Sequence, residues 1–199
     1  MLNTFDPDAK CLDGSPGGFF IHQGNQPQNF LVFLNGGGMC GSDTFSKTLE
    51  SCYDRSKTIV GSSKTWPDTL NPGGYLSTDP KVSQFAEWTK IVVGYCDGAL
   101  FQGHVDKPVM YKGTNLYFRG AHMIRSHFEY LNITYGLYLA DNIVFTGISA
   151  GAVGNFLWNN YLLSKVSNPN SFWTVMDSGV FLNEKTHKVP AKDQVQTWM

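Results

Sequence analysis

Five short apolar runs punctuate the chain, at 18–21, 30–34, 90–95, 143–146 and 172–176. In most of them apolar residues follow one another instead of alternating with polar ones. Such runs predict strands covered on both faces, the mark of a parallel sheet. Between the third and fourth runs, TNLYFRGAHMIRSHFEYL sets Tyr117, Ala121, Ile124, Phe128 and Leu131 at spacings of four and three, which gives one apolar helical face. Arg125 and Glu129 lie on its polar face as an i,i+4 pair. A second, mostly apolar helix is predicted over AGAVGNFLWNNYLL, and Asn168-Pro169-Asn170 breaks that pattern before the last run. Strands joined by helices in this order predict a three-layer α/β fold with right-handed crossovers and a mostly parallel sheet. Residues 41–89, rich in Ser, Thr, Gly and Pro, read as a long, less regular insertion over one sheet edge.

Composition narrows the function classes. A chain of 199 residues with 42% hydrophobic content fits one domain, 1–199, with a substantial core. A net charge of −1 with 16% charged residues leaves no electrostatic footprint for nucleic acid or an anionic membrane. No apolar run approaches the ~18 residues of a spanning helix, and no basic-then-apolar leader opens the chain. Four cysteines (Cys11, Cys40, Cys52, Cys96) without a CxxC pair argue against zinc or a thioredoxin-type site. Read from the residues alone, they are either buried thiols or two disulfides in one of three pairings. Asn132-Ile133-Thr134 is a glycosylation sequon.

The chemistry concentrates in NIVFTGISAGAVGNF. A strand runs into Gly147-Ile148-Ser149-Ala150-Gly151 and on into a helix, which is the G-x-S-x-G nucleophile elbow in its required context. Small flanking residues let strand and helix approach closely. The serine Oγ then projects above the sheet, and the helix N-terminus turns the Ala150 N–H toward a developing oxyanion. A serine that merely caps the helix is the competing reading. The triple glycine of NFLVFLNGGGMCG also admits two readings. Gly36, Gly38 and Gly41 spell the G-x-G-x-x-G of a dinucleotide turn, and Phe45, Leu49 and Cys52 have the spacing of a following helix. No acidic residue stands about 20 positions further on, however, where IVGSSK lies. A loop after an early strand is also where α/β-hydrolases place a second oxyanion donor. That reading is preferred.

Several separated blocks resemble the pectin acetylesterase family, which includes the Notum carboxylesterases: CLDGSPGGFF, FLNGGGMC, GSSK, YLS, YCDGALFQG, LYFRG, GISAGA and MDSGVF. They extend from Cys11 to about Asn183, and YCDGALFQG and LYFRG are nearer the pectin acetylesterase branch. The resemblance implies an α/β-hydrolase-like three-layer sandwich and a secreted serine esterase that removes acetyl or other acyl groups from oxygen. It implies Ser149 as nucleophile, Gly37, Gly38 and Ala150 at the oxyanion hole, and disulfides Cys40–Cys52 and Cys11–Cys96. Chain-entropy arithmetic assigns those bridges about 3 and about 4.5 kcal/mol. Met39 stands where plant members carry Trp, and Ile148 where they carry Cys, so the acyl pocket is expected to differ.

The acid and base of the triad are not evident. For the order Ser, acid, His, the aspartates and the histidine that follow Ser149 are Asp177, Asp193 and His187. Asp177 matches a family position other than the triad acid, and it lies only ten residues from His187. His22, His104, His122 and His127 precede the serine and read as surface or structural. The chain is therefore expected to be a fragment of the family domain, without its C-terminal strands. The expected protein is a monomer acting on acetylated polysaccharide, with no metal and no cofactor. Trp66, Trp88 and Phe101 are candidates for lining a sugar cleft. The alternative is a catalytically incomplete module that binds glycan or protein.

Overall fold

The computed structural model describes residues 5–179. Its main sheet has the order β1-β3-β2-β6-β7, formed by β1 (Phe19–His22), β3 (Trp88–Val93), β2 (Gln26–Leu34), β6 (Asn142–Ile148) and β7 (Ser171–Asp177). β3, β2, β6 and β7 pair in parallel. β1 closes one edge antiparallel, with Phe19 opposite Val93 and His22 opposite Lys90. All five predicted strands are present, and the continuous apolar runs fall where both faces are used. Phe30, Val32 and Leu34 of β2 enter one core with Ile91, Val93, Ile143 and Phe145. Leu31, Phe33, Val92 and Val144 form another on the opposite face.

The first face is covered by two helices. α2 (Gly120–Tyr135) contributes Ile124, Phe128 and Leu131, and α3 (Ala150–Leu163) contributes Ala150 and Leu162. The helix predicted from the Tyr117 spacing starts later than the pattern suggested. Residues 114–116 belong to a hairpin of β4 (Val109–Tyr111) and β5 (Thr114–Leu116), turned by Lys112 and Gly113 at φ 48° and 74°. Both central residues in the left-handed region suit the twist of a two-residue hairpin. α2 begins at Gly120, where only glycine fits because any Cβ would lie 1.8 Å from Asp97 Oδ2, and it ends at Gly136 in the left-handed conformation. Arg125 does not pair with Glu129; its guanidinium lies 5.7 Å from the Trp158 ring centroid on α3.

Residues 41–89 are more ordered than their composition suggested. They contain α1 (Phe45–Arg55), N-capped by Thr44 Oγ1, which accepts from the Lys47 N–H at 3.3 Å. The buried side of α1, Leu49 and Cys52, packs with Leu12, Cys40 and Leu116. The second half of the segment covers part of the second sheet face through Leu76, Phe85 and Trp88. Among the described residues, the rest of that face lines a trough of about 880 Å³ between Tyr75, Phe85, Trp88 and Trp173. Of the three aromatics considered for a sugar cleft, only Trp88 lines this trough. Phe101 is 1% exposed in the main core, and Trp66 packs against Gly94 and Phe20 with its indole N–H on the Ile59 carbonyl. Phe101 is held inside because Trp158 Nε1 bonds its carbonyl and its ring fills the space beside Gly154.

Two disulfides join the layers. Cys11–Cys96 ties the N-terminal segment to the end of β3, and Cys40–Cys52 ties the glycine loop to α1. No helix among the described residues is long and apolar enough to cross a membrane.

Candidate active site

Ser149 lies between β6 and α3 at φ 53°, ψ −116°. A non-glycine residue in that region carries strain of order 1–3 kcal/mol and persists only where its surroundings force it. The surroundings here are backbone. A Cβ at Gly147 would lie 2.3 Å from the Gly151 carbonyl oxygen, and one at Gly151 would lie 2.0 Å from that of Leu34. Only glycine fits either place, so strand and helix meet at a sharp corner with the serine at its apex. The Ser149 side chain makes no capping hydrogen bond to α3, which removes the helix-cap reading. Its own N–H donates to the Asp177 carbonyl at 3.1 Å. Ala150 is the first residue of α3, so its N–H has no acceptor within the helix.

The glycine loop follows β2, the neighbour of β6 in the sheet. A Cβ at Gly36 would meet the Ile148 carbonyl at 2.6 Å and Ser149 Cβ at 3.1 Å, so loop and elbow are in contact. Gly37 (φ 152°) and Gly38 (φ 66°) are both exposed, and Cys40 is buried in its disulfide. The nucleotide reading of this loop fails on geometry. α1 begins at Phe45 behind its own side-chain cap, while Gly36 faces the serine corner. Met39 and Ile148, 51% and 38% exposed, stand at the tips of loop and elbow.

Two residues that the sequence did not single out brace this loop. Arg55, the last residue of α1, donates from Nη2 to the Gly37 carbonyl at 2.6 Å and from Nε to the Val60 carbonyl at 3.1 Å. Tyr95 Oη donates to the Gly38 carbonyl at 2.7 Å and accepts the Leu100 N–H at 3.1 Å. Burial raises the Tyr95 pKa, so its proton stays in place. Nearby, the fully buried Asp97 accepts the Phe101 and Gly103 N–H groups at 3.2 and 3.3 Å. Burial pushes its pKa up against those donors. A buried acid in CDGA was the available signal, but its partners lie on a loop with left-handed Leu100 and Phe101, which spacing does not reveal.

No described histidine hydrogen-bonds Ser149. His22 is exposed at the end of β1 and His104 is exposed in a loop. His122 Nε2 lies 2.8 Å from Asp6 Oδ2. His127 is buried under Phe19, where burial lowers its pKa to about 3. Asp177 ends β7 beside Ile148, and its carboxylate accepts from Ser178 Oγ at 2.9 Å. His187 and Asp193 lie outside the described residues. Asn132 sits half-buried near the end of α2, followed by an exposed Thr134. Among the described residues no cluster of His, Cys, Asp and Glu has the geometry of a metal site. The trough on the sheet face includes Asp177 and Ser178 in its lining but neither Ser149 nor the glycine loop.

Comparison with known proteins matches the chain to one family. Residues 1–197 match the pectinacetylesterase family model. Pectin acetylesterase 5 of Arabidopsis thaliana is 34% identical over 178 residues, covering 88% of this chain and 40% of its own length. Palmitoleoyl-protein carboxylesterase notum1' of Xenopus laevis is 30% identical over 195 residues, covering 94% of this chain and 38% of its own. The solved structure of the Wnt deacylase Notum from Drosophila superposes with a TM-score of 0.81 at 24% identity, over 96% of this chain and 57% of that one. The chain thus spans about two fifths of the length of the curated relatives it matches. Its fold is the α/β-hydrolase-like sandwich of Notum, and by the match along nearly all of its sequence the chain belongs to the pectinacetylesterase family.

Proposed function

We propose that this chain carries the nucleophile and oxyanion elements of a secreted serine carboxylesterase that removes O-acetyl, or other O-acyl, groups from a polysaccharide such as pectin. The observation that carries the reading is Ser149 at φ 53° on a corner closed by Gly147 and Gly151, in contact with the glycine loop. In this mechanism Ser149 Oγ attacks the ester carbonyl and its proton passes to a general base. The carbonyl oxygen becomes an oxyanion that accepts from the Ala150 N–H and from a glycine-loop N–H of Gly37 or Gly38. The alkoxide leaves with a proton, and water releases the acyl group from Ser149 by the same steps. No metal or cofactor enters. The two disulfides support an extracellular setting, and the sequon Asn132-Ile133-Thr134, whose asparagine is half-buried and whose threonine is exposed, is proposed as a glycan site.

The alternative is a hydrolase-like glycan- or protein-binding module, favoured by the lack of a Ser149–histidine hydrogen bond among the described residues. One experiment separates them: hydrolysis of p-nitrophenyl acetate and of acetylated pectin by the protein and by Ser149→Ala. Loss of turnover in the variant supports the esterase. Equal turnover, or none in either, overturns it in favour of binding.

A further inference from the structure

We infer that Arg55 and Tyr95 are positioning residues that set the orientation of two successive peptides in the glycine loop, and thereby aim the Gly38 and Met39 N–H groups. The inference rests on the reading of Ser149 as nucleophile and says what holds in place the Gly38 N–H proposed for its oxyanion hole, and the Met39 N–H that follows it.

In a planar trans peptide, the carbonyl of one residue and the N–H of the next point in opposite directions. With the Gly37 carbonyl held by Arg55 Nη2 at 2.6 Å, the Gly38 N–H is turned to the other side of the loop. With the Gly38 carbonyl held by Tyr95 Oη at 2.7 Å, the Met39 N–H is likewise fixed. Neither N–H donates to any acceptor among the described residues. By contrast the flanking Asn35 and Cys40 N–H groups are bonded, to the Val93 and Gly98 carbonyls. The loop is therefore anchored at both ends, while the donors between them are unpaired.

The need for bracing follows from composition. Three consecutive glycines resist peptide rotation less than any other sequence, because no Cβ restricts them. An oxyanion hole works only when its dipoles are oriented before the charge develops. Both braces are suited to the task. Arg55 is always charged and spans two carbonyls, those of Val60 and Gly37. It follows Cys52 by three residues, and the disulfide from Cys52 returns to Cys40. Arginine, helix end and glycine loop thus form one closed circuit. The single Tyr95 proton is committed to Gly38 because its oxygen accepts the Leu100 N–H. The Arg55 guanidinium lies 5.2 Å from the Tyr95 ring centroid, so each brace also packs on the other. The loop leaves no slack for them: a Cβ at Gly37 would meet Tyr95 Cδ1 at 3.0 Å and Arg55 Nη2 at 3.4 Å.

The test compares Arg55→Met, Arg55→Lys, Tyr95→Phe and Ser149→Ala in the intact protein. Three quantities are read: p-nitrophenyl acetate kinetics, inhibition by phenylboronic acid (which forms a tetrahedral adduct on a serine oxygen) and the amide ¹⁵N shifts of Gly38 and Met39. Loss of one oriented donor costs roughly 10²-fold in kcat, and that loss is expected for Arg55→Met with KM nearly unchanged. Boronate inhibition should weaken by a similar factor, while the melting temperature stays close to wild type. Tyr95→Phe should lose about tenfold, and Arg55→Lys, which can reach only one carbonyl, should recover part of the Arg55→Met loss. The Gly38 shift should move in Arg55→Met and the Met39 shift in Tyr95→Phe. Wild-type kcat and boronate affinity in both variants, or amide shifts that stay put, would overturn the inference while Ser149-dependent turnover remained. Turnover unaffected by Ser149→Ala would instead bring down the esterase reading, and the amide shifts would still decide the positioning claim.

Discussion

Gly151 and the Leu34 carbonyl oxygen are so close that a single added carbon would lie 2.0 Å from that oxygen. Through this contact the first turn of α3 is seated on the end of β2, and the serine corner and the glycine loop become one rigid object. Gly151→Ala is expected to destabilise the protein by about 3 kcal/mol, at the upper end of overpacking costs, because the obstructing atom is backbone. Gly38→Ala is the contrast: nothing lies within 4 Å of its Cβ position, so only its left-handed φ is penalised, by about 1–2 kcal/mol. Urea midpoints of the two variants check the order.

The bridge between Cys40 and Cys52 closes a short loop and should contribute about 3 kcal/mol in the chain-entropy account. Its removal in Cys40→Ser/Cys52→Ser is expected to lower the denaturation midpoint accordingly. It should lower esterase kcat further than the milder loss of stability explains, because it loosens the Arg55 end of α1. Opening Cys11–Cys96, whose partners are 85 residues apart, should cost more, about 4.5 kcal/mol, without that extra loss of kcat.

His127 makes the fold acid-sensitive. Burial depresses its pKa from 6.5 to about 3, so the folded state keeps it neutral while the unfolded chain takes up a proton below 6.5. The stability associated with the neutral form is complete above that value and is lost as pH falls toward 3. Each pH unit in that window costs about 1.4 kcal/mol, so the protein should be about 2 kcal/mol less stable at pH 5 than at pH 7 through this residue. His127→Phe, which keeps an aromatic ring against Phe19, should flatten that slope. Parallel slopes in urea titrations of the two proteins would refute the assignment.

Asp97 holds the loop of Leu100 and Phe101 by accepting the Phe101 and Gly103 N–H groups. Asp97→Ala leaves these donors buried without an acceptor, at a cost of about 1–3 kcal/mol each. The expected outcome is a sharply lowered melting temperature and faster hydrogen exchange at Phe101 and Gly103.

Reading the sequence located what depends on local pattern. The five strands, α3 and the corner at Ser149 were legible because each is encoded within about a dozen neighbouring residues. The start of α2 was not. Tyr117 and Ala121 have helical spacing, but the chain must first turn the Lys112–Gly113 hairpin and pass Gly120 under Asp97. YKGT, a glycine in a two-residue loop between short apolar pairs, was the overlooked signal. Arg55 and Tyr95 were invisible for another reason. Each meets the glycine loop across a long sequence separation, 18 and 57 residues to their acceptors, and no residue type announces a bond to a carbonyl. Phe101 was misjudged as an aromatic for sugar, because only the fold shows that its ring is spent on the α3 contact.

The position of Met39 and Ile148 gives the architecture latitude to diversify. Met39 projects from the glycine loop that follows β2 and Ile148 from the end of the adjacent β6, and neither belongs to a buried cluster. The braces and the disulfide that fix the backbone beneath them make their contacts without using these two side chains, and Ile148 touches the glycine loop only at the open side of Gly36. Variation at positions 39 and 148 is therefore nearly free of folding cost, while the corner below tolerates almost none. On the esterase reading proposed above, exchanging these two exposed side chains would change what meets the substrate beside Ser149 while the corner that carries the serine is inherited unchanged.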